Sequence, residues 1–204
     1  MTTVVLTPNF ILADCRVTCK IDVVDAMGAN VKLNCTTDEF GKIGEWRLTG
    51  DDYDCFGYVL FGDIEVSQAL VRYLKAVGLS DLKDKFDALG GFKIALPQVA
   101  SGVAWVTEDK KMVWVTLDPQ GYQINEAVPG APYVALGSGA ALVDHYYQRP
   151  RDIMAAFLYA AKEDPQSTHE VYDRWDHETA HIVRHRIPGG DIPQSLEELL
   201  TGGS

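Results

Sequence analysis

The stretch Thr2-Thr3-Val4-Val5-Leu6-Thr7-Pro8-Asn9-Phe10-Ile11-Leu12-Ala13-Asp14-Cys15-Arg16-Val17-Thr18 decides the reading of this chain. Two short apolar runs, 3–7 and 10–17, flank Pro8-Asn9, a pair that favours a turn. The pattern predicts a β-hairpin. Met1 precedes two threonines, and threonine is small enough for removal of the start methionine to be expected. Removal would give Thr2 both a hydroxyl and a free α-amine, which together form a self-contained nucleophile–base pair.

Outward from the hairpin, residues 20–48 hold strand-like pieces at Ile21–Val24, Val31–Leu33 and Ile43–Leu48, broken at Met27-Gly28 and Phe40-Gly41. Gly50–Asp54 reads as an acidic turn. Cys55–Gly62 is a continuous apolar run of the kind that suits a strand buried on both faces. Ile64–Val77 has helical spacing, with Ile64, Gln68, Val71, Leu74 and Val77 on one face and Gly78 as its stop. Leu79–Leu89 reads as a more polar helix or turn. The segments 102–107 and 112–117 form a hairpin. Pro132–Gly139 is a strand entering Gly137-Ser138-Gly139, and Ala140–Tyr147 opens a helix. Asp152–Glu163 is an Ala-rich helix ended by Asp164-Pro165. His169–Trp175 and Ala180–Ile187 read as strands, Leu196–Leu200 as a short helix and 201–204 as a flexible tail. Runs of strands separated by helix pairs predict sheets stacked between helical layers over 1–200.

The 29 acidic and 18 basic side chains give a net charge of −11. Phosphate recognition needs Lys/Arg clusters, so this balance argues against nucleic acid as a partner. No apolar run reaches membrane-spanning length, and no basic segment opens the chain as in a secretory signal. Cys15, Cys19, Cys35 and Cys55 lack a Cys-x-x-Cys spacing and are expected as free thiols in a reducing cytoplasm.

Five local patterns in order resemble the proteasome-like peptidases of the N-terminal-nucleophile hydrolase superfamily. That group includes proteasome β subunits and the peptidase rings of simpler bacterial ATP-dependent proteases. The patterns are Thr2-Thr3 with its hairpin; Ala13-Asp14-x-Arg16-x-Thr18; Lys42-Ile43 ahead of Val59-Leu60-Phe61-Gly62-Asp63; Ala135-Leu136-Gly137-Ser138-Gly139; and Ala160-Ala161-x-x-Asp164-x-x-Ser167. The resemblance spans about 2–187. It implies an α+β fold, a four-layer αββα sandwich of two packed antiparallel sheets flanked by helices.

It also implies a mechanism. Thr2 Oγ attacks a peptide carbonyl while its own amine or a nearby lysine carries the proton. Lys42 holds a positive charge beside Thr2, and Asp14 pairs with that lysine and positions it. Ser138 and Asp164, with Ser167, set the orientation and charge of the terminal amine. Gly62 marks the oxyanion donor, and Arg16 joins it on the substrate side. The implied partners are a polypeptide or peptide substrate, further copies of the chain in a homo-oligomer, and an ATP-dependent unfoldase. No cofactor or metal is called for.

Three alternatives stay open at this point. The interval from Thr2 to Asp14 is about four residues shorter than the usual family hairpin, and a strand slip of one residue would turn Thr2 away from Asp14. Met1 could then take the nucleophile position, leaving a partner-binding or structural relative without activity. Lys42 follows a long segment, so Lys20 and Lys32 compete for its role. His177-Glu178-Thr179-Ala180-His181, with His185 beyond, matches His-Glu-x-x-His and would bind zinc if it were helical. The surrounding residues favour a turn and a strand instead.

Overall fold

The computed structural model of the protein describes residues 2–24, 27–37, 40–45, 55–77, 97–164 and 171–186. Met1, the acidic turn 50–54, the helix expected at 79–89, Ser167, the helix at 196–200 and the tail 201–204 lie outside the described residues.

The described elements run β1 (Thr3–Leu6), β2 (Phe10–Asp14), β3 (Val17–Val24), β4 (Asn30–Thr37), β5 (Ile43–Glu45), β6 (Cys55–Phe61) and α1 (Ile64–Val77). They continue with β7 (Ser101–Thr107), β8 (Met112–Asp118), β9 (Gly121–Glu126), β10 (Val134–Gly137), α2 (Ala140–Tyr147), α3 (Ile153–Glu163), β11 (Val171–Asp176) and β12 (His181–Arg186). One antiparallel sheet has the order β10-β1-β2-β11-β12, and a second has the order β5-β6-β7-β8-β9. The β3–β4 hairpin forms a ladder of its own between them in sequence.

Side-chain alternation divides the core into three apolar layers, which makes four layers of structure. Val4, Leu6, Ile11 and Ala13 of the first sheet meet Val59, Phe61, Ala104 and Val106 of the second. Val5, Leu12 and Tyr172, on the other face of the first sheet, pack under Val143 of α2 and Ala156, Phe157 and Ala160 of α3. On the far side of the second sheet, Leu70, Val71 and Leu74 of α1 cover Leu60, Val103, Trp105 and Val115. The expected αββα sandwich is therefore the observed architecture. Gly57 tightens its middle layer: a Cβ there would lie 2.5 Å from the ring of the fully buried Trp175, so only a glycine lets the indole lie against β6.

The helices form where spacing and caps agree. Asp63 Oδ1 accepts from the N–H groups of Glu65 and Val66 and so caps α1, which carries Glu65 in its first turn and Lys75 in its last. Asp152 caps α3 in the same way through Met154 and Ala155. The first hairpin closes at Thr7, whose Oγ1 accepts from the N–H groups of Asn9 and Phe10.

Two expectations change. The apolar run 10–17 is broken at Cys15-Arg16, where β2 ends and the chain leaves the sheet for the β3–β4 ladder. Gly121–Glu126, unassigned in the sequence reading, pairs with β8 as the edge strand β9.

Candidate functional site

The ends of β1, β2 and β10 meet the start of β5, and several of the residues expected at the site gather there. Val4 pairs with Ala13, so Thr3 and Asp14 follow side by side at the ends of β1 and β2. Asp14 Oδ1 accepts the Thr3 N–H at 2.7 Å. Its Oδ2 accepts the Arg16 N–H at 3.2 Å and lies 2.8 Å from Lys42 Nζ, with both side chains wholly buried. Asp14 is thus met by one cation and two main-chain donors.

Lys42 precedes β5, and its carbonyl accepts the Leu60 N–H at 3.0 Å, which ties it to the second sheet. Asp14 belongs to the first, so the ion pair runs from one sheet to the other. Lys20 and Lys32, the competing lysines, lie on the β3–β4 ladder, opposite Asn34 and Asp22. That ladder accounts for the long interval between Asp14 and Lys42.

Burial is the dominant influence on both charges. It pushes the Asp14 carboxyl up to about 6, against the opposing pull of Lys42 and the two N–H donors. It pushes the Lys42 ammonium below the usual lysine range, against the pull of Asp14. Each partner's charge offsets part of the cost of burying the other. Behind the pair, burial pushes the Cys15 thiol up to about 12, which keeps it an unreactive thiol. The buried Asp173 takes a two-point contact from Arg184, Nε at 2.8 Å and a terminal nitrogen at 3.1 Å.

Thr2 is 1 % exposed. Val4 and Leu6 face the space between the sheets and Val5 faces the helices. Alternation carried one residue back from β1 puts Thr2 on the inter-sheet side and Thr3 on the helical side. Thr3 follows this rule: its hydroxyl packs against Gly139 at the start of α2 and is buried without a hydrogen-bond partner among the described residues.

Ser138 donates from Oγ to the Thr2 carbonyl at 3.4 Å. The flanking glycines explain why the Gly-Ser-Gly turn can reach the chain start. Gly137 has φ +88°, and a Cβ there would lie 1.9 Å from the Thr2 carbonyl oxygen. A Cβ on Gly139 would lie 1.9 Å from the Thr3 hydroxyl. The resemblance sets Ser138 against the Thr2 amine, and the packing of Gly137 and Gly139 on Thr2 and Thr3 lies outside that reading.

Gly62 ends β6 with φ +76°, and a Cβ there would meet the Ala100 carbonyl at 2.4 Å. Two serines that the sequence reading passed over fix this turn. Ser67 donates to the Phe61 carbonyl at 2.7 Å, and Ser101 Oγ accepts the Asp63 N–H at 2.8 Å. Asp164 caps the C-terminus of α3, its N–H on the Ala160 carbonyl, and is partly buried. Ser167 is outside the described residues.

The zinc alternative loses its helix. His177 and His181 stand on either side of the tight turn between β11 and β12, where Asp176 pairs with His181. His185 stacks on Tyr172 with ring centres 4.9 Å apart. Among the described residues no group of three or more His, Cys, Asp or Glu is arranged to hold a metal. None of the described helices is long and apolar enough to cross a membrane.

No protein-family model and no curated protein matches this sequence. Among solved structures the chain is similar to Anbu (ancestral beta-subunit) from Yersinia bercovieri, with a TM-score of 0.51 and 12% identity, covering 99% of this chain and 92% of that one. At that identity the likeness establishes the fold, a proteasome-like α+β sandwich.

Proposed function

We propose that this protein is an amide or peptide hydrolase whose nucleophile is Thr2, exposed as the first residue by removal of Met1. The observation that carries the reading is the wholly buried Lys42–Asp14 pair beside the chain start, with Asp14 also holding the Thr3 N–H. Burying an ammonium and a carboxylate is costly, and a catalytic role gives a reason for keeping them.

In this reading Thr2 Oγ attacks the substrate carbonyl carbon and its proton passes to the Thr2 amine. The Lys42 charge favours the deprotonated forms around it. Negative charge on the carbonyl oxygen is met by main-chain N–H at Gly62. Collapse of the intermediate breaks the C–N bond, the departing amine takes the proton, and water then hydrolyses the threonyl ester. Ser138 fixes the Thr2 carbonyl. Asp164 and Ser167 complete the surroundings of the amine, and Arg16 serves the substrate side.

The fold likeness supports assembly with further copies of the chain, and an ATP-dependent unfoldase is the partner that would deliver polypeptide to such an assembly. A second reading has two observations in its favour: the 1 % exposure of Thr2, and the register, which sets Asp14 beside Thr3 and leaves Thr2 on the opposite face of the sheet. It keeps the ion pair as a brace between the sheets and makes the protein a binding or structural relative. Assay of the full chain against fluorogenic peptide amides separates the two. Turnover lost in Thr2→Ala supports the hydrolase; turnover unchanged in Thr2→Ala contradicts it.

A further inference from the structure

Among the described residues, the β3–β4 ladder pairs with neither of the two larger sheets. Its register sets Cys19 directly opposite Cys35, one position beyond Thr18 and Thr36. The hydroxyls of those two threonines lie 3.3 Å apart, so the residues beside the cysteine pair meet across the strands as the register requires. Further along, Asp22 stands opposite Lys32, a pairing of opposite charges that favours this register over a slip. Directly opposed residues of an antiparallel pair have Cα atoms roughly 4.5–5.5 Å apart, and a disulfide spans about 4.4–6.8 Å between Cα atoms. Either kind of facing pair therefore brings two cysteines within bonding range with no movement of the backbone.

Two strands joined only to each other are marginally stable in water. The feet of this ladder are the two sides of the candidate site. Asp14 immediately precedes Cys15, whose carbonyl accepts the Phe40 N–H at 3.1 Å, and Lys42 lies two positions after Phe40. A bond between residues 19 and 35 shortens the covalent path from Asp14 to Lys42 and so lowers the entropy lost in bringing them together. Cys15 is no rival for either thiol: it is buried, and its thiol is pushed up to about 12. The expectation of free thiols rests on compartment and on the lack of a Cys-x-x-Cys spacing. The register supplies a proximity that spacing does not show.

We propose that Cys19 and Cys35 are a dithiol–disulfide pair that an oxidised low-molecular-weight thiol closes and its reduced form opens. The Cys19 thiolate attacks one sulfur of the small disulfide, expels a small thiolate and leaves a mixed disulfide. The Cys35 thiolate then attacks the Cys19 sulfur, the bond across the strands forms, and the second small thiolate departs. The two protons given up by the cysteines end on the two small thiols, and the small disulfide is the species reduced. The closed bond holds the hairpin together and restrains the segment between Asp14 and Lys42, whether or not Thr2 is a nucleophile.

Trypsin cuts after Arg16, Lys20, Lys32 and Lys42, so Cys19 and Cys35 fall in separate peptides, 17–20 and 33–42. The test incubates the full-length protein with oxidised glutathione, alkylates the remaining thiols and digests the unfolded chain without reductant. The expected result is the two peptides joined as one species, which separates on reduction. In the folded protein, cutting after Lys20 and Lys32 should slow about tenfold on oxidation, because the bond suppresses opening of the hairpin. Cys35→Ser should abolish that protection and keep glutathione on Cys19, the mixed disulfide that has lost its second thiol. Refolding from urea in the same glutathione buffer removes any barrier to access. Peptides still unlinked there, each alkylated or each carrying glutathione, overturn the proposal, as does Cys19 joined to Cys15 or Cys55. Linked peptides without slower cutting overturn the claim that the bond holds the hairpin.

Discussion

Lys42 Nζ and Asp14 Oδ2 lie 2.8 Å apart, both side chains wholly buried, and their contact joins the second sheet to the first. Removing Lys42 leaves the Asp14 carboxyl buried without its counter-charge, held by the Thr3 and Arg16 N–H groups alone. Lys42→Met should therefore cost about 3–5 kcal/mol of stability. Lys42→Met with Asp14→Asn should cost less than Lys42→Met alone, because an asparagine is uncharged and can still accept the Thr3 N–H. Urea unfolding of the three proteins checks this; a double variant less stable than Lys42→Met contradicts it.

The same pair sets a pH dependence. Burial raises the folded Asp14 carboxyl from 3.8 to about 6, so between those values the folded chain holds a proton that the unfolded chain has lost. The contribution of Asp14 to stability is therefore fully present below pH 3.8 and declines as pH rises through 6. Lys42, shifted downward, has the opposite sign, and its contribution is present above 10.5 and lost as pH falls through its folded value. Subtracting the pH–stability curve of Asp14→Asn from that of the wild type should isolate the fall between 3.8 and 6. Activity should run the other way, rising as Asp14 ionises near pH 6. An acid limb centred near the ordinary carboxylate value would contradict the assignment.

Gly137 tests the contact between the Gly-Ser-Gly turn and the chain start. Gly137→Ala meets both a positive φ and the Thr2 carbonyl, whereas Gly130→Ala, at φ +81°, meets open space. Gly130→Ala should show backbone strain alone, about 1 kcal/mol. Gly137→Ala should lose more stability and, in addition, displace Thr2, with turnover falling more than the stability change explains. Thermal melts alongside kcat measure both; equal effects of the two substitutions would contradict the packing.

The elements that were legible in the sequence are those whose signals are local. Ile64–Val77 and Ala140–Tyr147 have the bounds that spacing and stops predict, and Asp152 caps α3 as its position suggests. β9 was not legible because Gly121-Tyr-Gln-Ile-Asn-Glu126 is a polar edge strand with no buried residue, which only its partner β8 defines. The site divides along the same line. Asp14 and Lys42 are 28 residues apart, with the β3–β4 ladder between them, so spacing alone left Lys20 and Lys32 in competition with Lys42. Gly137 and Gly139 looked like turn residues because the backbone they approach, at Thr2 and Thr3, is more than 130 positions away.

The central claim is that the chain start becomes a nucleophile. Incubating the purified full-length protein with a peptide boronate or β-lactone directed at threonine, then mapping its N-terminal peptide by mass spectrometry, tests it most directly. The account predicts a chain beginning at Thr2, one adduct on that residue, and no adduct in Thr2→Ala. A chain that keeps Met1 and carries no adduct would contradict it.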